Sequence, residues 1–263
     1  MQARLRRFLP GMLCACLGVM PSCLYAADSF SAREALEDTK LYFTAPLRWD
    51  EEDWLYFGGT LVAIGGAHQF DRKVRNHFAT GSNAVLNGGL DKHSLRDALP
   101  TVAIVAGTAL TAAFFRDSDG YRETWSMLEA GVLSSAAGQI VGYAGGRKRP
   151  DATTSPNQWR HGGDSFPSLH TTAAFAIGTV FAESGNDEYR WLRRIIGYGI
   201  ASGTAYVRVR DNVHWLSDTV AGTALGIATA HFVLNRQDAN ERQALQVQPT
   251  ADGWMIAYTK HFN

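Results

Sequence analysis

Apolar residues gather into six segments of the chain, each long enough for a helix. The segments cover residues 54–70, 98–115, 125–143, 168–183, 192–207 and 215–234. Alanine and glycine are frequent in them, and runs of β-branched residues are short, which favours helix over strand. Pro100 and Pro167 stand near the starts of the second and fourth segments, where a helix tolerates a missing N–H. We therefore predict an all-α fold, a six-helix antiparallel bundle in which Gly222 and Gly226 let helices approach closely.

The C-terminal tail has a different pattern. Residues 244–248 and 254–262 alternate between apolar and polar positions, and Asp252-Gly253 between them is a turn signal. This alternation predicts a short C-terminal β-hairpin packed on the helices. The predicted organisation is therefore an N-terminal extension at 27–53, a helical domain at 54–235 and a tail at 236–263.

Residues 1–26 have the features of an export signal. Three arginines precede an apolar stretch at 8–20, and Leu24-Tyr25-Ala26 forms a loose cleavage end. A permanent membrane anchor and a lipoprotein signal are the alternatives. All three cysteines of the chain lie inside this segment. A mature chain that starts near Ala27 would therefore have no disulfide, thiolate metal site or cysteine nucleophile.

The charge balance excludes two classes of protein. The chain has 25 basic and 25 acidic side chains, with 46% hydrophobic and 19% charged residues. Such a composition fits neither a disordered chain nor a general nucleic-acid binder, which would show an excess of basic residues. Removal of the three arginines of the signal leaves 22 basic against 25 acidic side chains, a net charge of −3.

Hydropathy bears on the location of the protein. The mean hydropathy is −0.15, lower than is usual for a multi-span membrane protein, although the six segments approach the ~20 residues that cross a bilayer. If cleavage of the signal left the N-terminus outside, six spans would place the end of the third helix in the cytoplasm. Export and an outward-facing site are easier to combine in a folded globule than in six membrane spans. We therefore expect an exported, periplasmic globule with possible membrane contact, and regard an integral membrane protein as the alternative.

Polar residues with catalytic potential stand at the ends of the predicted helices. Arg147-Lys148-Arg149-Pro150 follows the third segment, and Pro167-Ser168-Leu169-His170 opens the fourth. Arg208, His214 and Asp218 join the fifth segment to the sixth. In an antiparallel bundle all these points lie at one end, so we expect the side chains to converge there.

This combination suits the binding and attack of a phosphate. Arginine presents a planar fork of donors that matches phosphate oxygens, and the N–H groups of Ser168, Leu169 and His170 at a helix start form an anion seat. Asp218, four residues after His214, could accept from one ring nitrogen and raise the basicity of the other. We interpret His214 as a candidate nucleophile and His170 as a candidate general acid.

These residues resemble a known signature. Arg149-Pro150, Pro167-Ser168-Leu169-His170 and Arg208-x5-His214-x3-Asp218 are similar, in order and in position relative to the helices, to the motifs of the type 2 phosphatidic acid phosphatase and vanadium haloperoxidase superfamily. The resemblance covers residues 54–235. It implies an all-helical phosphatase that needs no metal or other cofactor and hydrolyses phosphomonoesters or pyrophosphates, either of lipids or of small molecules.

The same resemblance implies a role for each residue. His214 would attack phosphorus and form a phosphohistidine, with Asp218 as its partner, and His170 would protonate the leaving group. The implied phosphate-binding residues are Arg149, Arg208, Ser168, Leu169 and, beside them, Lys148. The alternatives are a vanadate-dependent haloperoxidase that uses the same pocket, or a non-catalytic membrane-associated protein that binds phosphate.

The chain departs from the family pattern at three positions. Gly142 occupies the place of the first lysine, and Lys148 or Arg147 could supply the missing charge. Leu169 replaces a glycine, and Val207 replaces the serine before Arg208. These departures predict weaker phosphate binding or a different choice of substrate.

The remaining histidines share no spacing, and we expect them to be structural or exposed. A metal cluster of Asp71 and Asp97 with His68 or His93 is an alternative, but its spacing is loose.

Overall fold

The structure, a computed structural model, describes residues 32–79, 94–115, 117–185, 187–241, 245–250 and 253–258. The predicted export signal and His93 lie outside these residues, as does the side chain of Asp97. The described residues form seven α-helices: α1 Ala32–Phe43, α2 Glu51–Phe78, α3 Ser94–Phe115, α4 Ser118–Gly145, α5 Leu169–Glu183, α6 Arg190–Arg210 and α7 Leu216–Glu241. Short 3₁₀ turns occupy Ala45–Arg48 and Asp187–Tyr189.

The six predicted segments match α2 to α7, although those at 168–183 and 215–234 begin one residue before their helices. Helix α1 is the helix that the hydrophobic pattern missed. It lies in the predicted N-terminal extension and joins the bundle through polar contacts. Asp38 accepts from the Arg236 guanidinium at 2.7 Å, and the Tyr42 hydroxyl lies 2.6 Å from that of Thr229. A helix held in this way needs no long apolar stripe, so the prediction of six helices was incomplete.

Local sequence explains where two of the long helices begin and end. At the start of α2, Asp50 and Asp53 form a reciprocal capping box, in which each side chain accepts from the other's backbone N–H. At the start of α4 the Asp117 side chain accepts from the N–H of Asp119 at 3.0 Å. The residue that caps the C-terminal end of this helix is Gly146, whose φ of 53° is the left-handed conformation that favours glycine.

Helix α5 is the centre of the bundle. All but one of its residues from Thr171 to Ala182 are buried, and it packs against α4, α6 and α7. A Cβ on Gly222 would lie 2.8 Å from the carbonyl oxygen of Ser168, and one on Gly226 would lie 2.4 Å from that of Thr172. Because only hydrogen fits there, the predicted role of these two glycines in close packing is confirmed.

Two strands follow the helices. β1 Leu245–Thr250 and β2 Gly253–Tyr258 pair antiparallel, with Leu245 opposite Tyr258 and Thr250 opposite Gly253. The predicted strands at 244–248 and 254–262 extend partly beyond the described residues. The packing of this hairpin on the helices stays a prediction.

The outer surface of the bundle carries many apolar side chains. Within the described residues, the stretch Ala98–Phe115 of α3 alone combines enough length and hydropathy to cross a membrane, and 17% of it is buried inside the protein. Neighbouring helices also expose large apolar groups, among them Leu55 and Val62 of α2, Val132 and Ile140 of α4, and Trp191 and Ile195 of α6. Exposed apolar surface of this extent is typical of a protein that contacts a membrane or a partner.

Candidate active site

The structure brings the predicted motifs together at one end of the bundle. The N–H of Ser168, at the start of α5, donates to the carbonyl of Asp218 in the first turn of α7 at 3.1 Å. The indole of Trp215 donates to the carbonyl of Lys148 at 2.8 Å, and the N–H of His214 donates to the carbonyl of Arg208 at the end of α6. The motifs therefore converge at one end, as we expected from the alternating direction of helices in an antiparallel bundle.

His214 lies in the short loop between α6 and α7 and is 3% exposed. Its Nδ1 lies 2.7 Å from the carbonyl oxygen of Ser165. Because a carbonyl oxygen only accepts hydrogen bonds, Nδ1 must carry the proton. In the neutral ring this leaves Nε2 unprotonated, with a lone pair available for attack.

Asp218 differs from the prediction in its partners. Its Oδ2 lies 3.7 Å from His214 Nδ1, too far for a hydrogen bond. The helix begins at Leu216 rather than at His214, so the two residues do not share a helical face, and the predicted direct bond between them is wrong. The carboxylate instead accepts from the Ser165 hydroxyl at 2.5 Å and from the backbone N–H of Trp215 at 2.9 Å.

Burial and charge shift the pKa values of both groups. Burial lowers the pKa of His214 well below its ordinary value, and the positive charges of Arg149, Arg208 and His170 lower it further. The imidazole is therefore neutral near pH 7, as a nucleophile requires. Burial also raises the pKa of Asp218 to about 6, against the opposing effects of Arg147, Ser165 and Trp215.

Arg147, expected at the surface or as a substitute for the missing lysine, is fully buried. Its guanidinium donates to Asp71 at 2.7 Å and to Asp218 at 2.5 Å. The same group lies 4.7 Å from the ring centroid of Trp159 and 5.4 Å from that of Trp215. Because its N–H groups already donate to protein side chains, Arg147 supports the site through Asp71 and Asp218 and is not placed to bind phosphate.

The other basic candidates lie nearer the surface of the site. Arg149 forms a two-pronged pair with Asp164, at 2.9 and 3.3 Å, and its side chain is 26% exposed. The ammonium of Lys148 forms no hydrogen bond or ion pair with the described residues. Arg208 is buried in the last turn of α6, close enough to lower the pKa of His214. The charges of Arg149 and Arg208 are both felt at His214, whereas a role for Lys148 at this site stays a prediction.

The predicted anion seat at the start of α5 is smaller than expected. Because the N–H of Ser168 donates to the Asp218 carbonyl, it cannot also bind an anion, and that part of the prediction is wrong. The Ser168 hydroxyl is buried and accepts from Thr171 at 3.0 Å. The first-turn N–H groups of Leu169 and His170 remain the candidates for this seat.

Two departures from the family pattern share a packing explanation. A Cβ on Gly138 of α4 would lie 2.8 Å from the Leu169 side chain, and one on Gly142 would lie 3.0 Å from the carbonyl oxygen of Phe166. The segment from Phe166 to Leu169 therefore lies directly against α4. Gly138 makes room for a leucine where the family has glycine, and the close carbonyl leaves little room for a lysine at position 142.

Sequence reasoning missed Ser165, Asp71 and the buried role of Arg147. No spacing rule connects Ser165 to His214, and Asp71 is 147 positions before Asp218. The alternative metal cluster had drawn attention to Asp71 and His68, whose Nδ1 lies 2.9 Å from the Asp71 carboxylate. Among the residues that the structure describes, no three His, Cys, Asp or Glu side chains are arranged to hold a metal ion.

Comparisons with known proteins agree with the resemblance seen in the motifs. Residues 123–242 match the model of the PAP2 superfamily. A stretch of 113 residues is 39% identical to the lipid A 1-phosphatase of Porphyromonas gingivalis; it covers 41% of this chain and 23% of that protein, so the chain spans less than a quarter of that relative.

A solved structure is also similar, namely the first transmembrane PAP2 type phosphatidylglycerolphosphate phosphatase from Bacillus subtilis. That match has 18% identity and a TM-score of 0.38, and it covers 82% of this chain and 92% of the other. The similarity to the PAP2 superfamily extends over residues 123–242, somewhat less than half of the chain.

Proposed function

We propose that the protein is a phosphatase in which His214 is the nucleophile. The observation that carries this proposal is the hydrogen bond from His214 Nδ1 to the Ser165 carbonyl, which leaves Nε2 as the nitrogen with a lone pair. The buried ring is neutral near pH 7, and the positive charges of Arg149 and Arg208 act on it. A neutral nucleophile beside a cluster of positive charges suits attack on an anionic phosphorus centre.

The reaction would proceed in two steps. In the first, the Nε2 lone pair forms a bond to phosphorus while the ester P–O bond breaks, and His170 gives its proton to the departing oxygen. In the second, water attacks phosphorus, His170 takes a proton from that water, and the P–N bond breaks to release inorganic phosphate. Arg149, Lys148 and Arg208 would balance the negative charge of the phosphoryl oxygens in both steps.

The proposed substrates are phosphorylated lipids, as monoesters or pyrophosphates. The relative from Porphyromonas gingivalis is named for a lipid substrate, and the apolar exterior of α2, α3 and α6 would hold the protein beside its substrates in a membrane. We also propose export of the chain and membrane association of the folded domain. Resistance of the protein to extraction from membranes by carbonate would identify an integral protein, and release would identify a peripheral one.

The decisive experiment measures turnover of an aryl phosphate by the purified protein and by a His214→Ala variant. We expect the variant to lose all measurable turnover and EDTA to have no effect on the wild type. Wild-type enzyme that is incubated with a labelled substrate and quenched in alkaline detergent should carry an acid-labile, base-stable phosphoryl group that the variant lacks. An active His214→Ala variant together with inhibition by EDTA would refute the proposal. Halide oxidation with vanadate and peroxide tests the haloperoxidase alternative.

A parallel panel of soluble esters and lipid phosphates in mixed micelles would test the substrate class. Preference for lipid phosphates over soluble esters of the same leaving-group chemistry is expected. Binding of phosphate without turnover of any ester would favour the non-catalytic alternative.

A further inference from the structure

Asp71 is a buried charge on α2 that the proposed chemistry does not use directly. It is 1% exposed and lies near the C-terminal end of its helix. One carboxylate oxygen accepts from the backbone N–H of Ser217 at 2.9 Å. The other accepts from the Ser217 hydroxyl at 2.6 Å and from the Arg147 guanidinium at 2.7 Å. A carboxylate in a dry interior is costly unless it is paired in this way.

A continuous series of hydrogen bonds leads from this carboxylate to the candidate nucleophile. Arg147 donates to Asp71 with one terminal nitrogen and to Asp218 with the other, the latter at 2.5 Å. Asp218 accepts from the hydroxyl of Ser165 at 2.5 Å. The carbonyl of the same Ser165 accepts from His214 Nδ1 at 2.7 Å. Each residue of this series is hydrogen-bonded to the next, and all of them are buried: Asp71, Arg147, Asp218, Ser165 and His214.

His68 links the same carboxylate to the loop that carries the first motif. Its Nδ1 lies 2.9 Å from a carboxylate oxygen of Asp71, and its Nε2 lies 2.7 Å from the side-chain oxygen of Asn157. Arg147 also donates to the carbonyl of Pro156 in this loop at 2.9 Å. Helix α2 therefore contacts the site both through the start of α7 and through the loop at 146–167.

Helix α2 lies outside the segment that matches the PAP2 family, which begins at residue 123. The first family lysine is absent, with glycine at position 142. Arg147, five residues later, is committed to two carboxylates, one of which comes from α2. Helix α2 thus supports the site through Asp71, although it lies outside residues 123–242.

We infer that Asp71 is a positioning residue, which sets Arg147 and, through Asp218 and Ser165, holds His214 in the orientation for attack. This inference rests on the proposed phosphatase function. Asp71 does not touch the phosphate in this arrangement. Its loss should therefore slow the chemical step and leave the binding of a phosphate-like anion unchanged, a split that general destabilisation would not produce.

The test is an Asp71→Asn variant of the full chain, assayed on an aryl phosphate and for inhibition by inorganic phosphate. An amide has one acceptor oxygen where the carboxylate has two, so either Ser217 or Arg147 must lose its partner. We expect kcat to fall by about 10- to 100-fold, the usual effect of removing an outer hydrogen-bond partner of a reactive group. The inhibition constant of phosphate should stay within about twofold of the wild-type value, since Arg149 and Lys148 are not in the network.

Two further variants make the result decisive. Ser217→Ala removes the hydroxyl, which donates to Asp71 and accepts from Arg147 at 2.8 Å, but keeps the N–H bond to Asp71. It should therefore lower kcat severalfold even if Asp71→Asn fails to fold. Lys73→Gln, an exposed change two residues away on the same helix, should match the wild type. An unchanged kcat in Asp71→Asn would overturn the inference, as would parallel losses of kcat and phosphate inhibition in Ser217→Ala. A wild-type enzyme that forms no phosphohistidine would instead refute the proposed function.

Discussion

The Nδ1 atom of His214 lies 2.7 Å from the carbonyl oxygen of Ser165 and 3.7 Å from a carboxylate oxygen of Asp218. The main chain therefore fixes the tautomer of this histidine, and the carboxylate forms no hydrogen bond with the ring. Asp218 still matters, because it binds the Ser165 hydroxyl and the Arg147 guanidinium. Its role is to keep Ser165 in place and to balance a buried positive charge.

This arrangement predicts unequal effects for two substitutions. His214→Ala should abolish turnover, whereas Asp218→Asn should lower kcat by about 10- to 100-fold, because the Ser165 carbonyl remains to hold the ring. The loss of a buried charge partner from Arg147 should also reduce the free energy of unfolding by about 3 kcal/mol or more. Initial rates on an aryl phosphate and urea denaturation measure the two effects. Equal losses of activity in both variants would show that Asp218 bonds to the histidine during the reaction.

The lowered pKa of His214 predicts the acid limb of the pH profile. Protonation of Nε2 removes the lone pair, so activity falls as the pH drops through the pKa of His214, below its ordinary 6.5. Arg149 disfavours the protonated ring. Arg149→Gln should therefore raise this pKa and move the acid limb to higher pH.

The measurement is kcat/KM against pH for wild type and variant on one substrate, so that ionisation of the substrate affects both curves equally. Arg210→Gln is the matched control, because Arg210 is exposed and does not contribute to the shift at His214. Coincident acid limbs for wild type and Arg149→Gln would show that the charge of Arg149 is not felt at His214.

The alternating direction of successive helices was enough to predict that the motifs meet at one end of the bundle, because this prediction depends only on the order of the helices. The detailed partners depend on where each helix begins. A start at Leu216 in place of His214 moves Asp218 away from the ring and toward Trp215 and Arg147. Asp71 was beyond prediction for a different reason. Ser217 and Arg147 lie 146 and 76 positions further along the chain, and the sequence around a single aspartate on an otherwise ordinary helix gives no sign of them.

The contact between Leu169 and Gly138 gives a prediction about packing. Gly138→Ala would place a methyl group 2.8 Å from the Leu169 side chain. Overpacking of this kind costs about 1–3 kcal/mol, and it should displace the start of α5 together with His170. Leu169→Gly, which restores the family residue, should relieve the clash in the double variant.

Thermal unfolding and kcat of the two single variants and the double variant form a cycle that isolates this contact. Gly199→Ala serves as the control, because a Cβ there meets nothing within 4 Å. That change should leave stability unchanged or raise it by up to about 1 kcal/mol. Additive effects of Gly138→Ala and Leu169→Gly would contradict the proposed contact.

The pair between Arg149 and Asp164 predicts a gain of affinity. Asp164 is exposed and neutralises an arginine that we assign to phosphate binding. Asp164→Asn should free that charge and remove a repulsive anion from the mouth of the site, so KM for an aryl phosphate should fall severalfold at low salt. The gain should shrink at 0.5 M salt, where the Debye length falls to about 4 Å. Asp211→Asn is the matched control, since Asp211 forms a similar surface pair with Arg210. A rise in KM in Asp164→Asn, with Asp211→Asn unchanged, would show instead that Asp164 orients Arg149 for the phosphate.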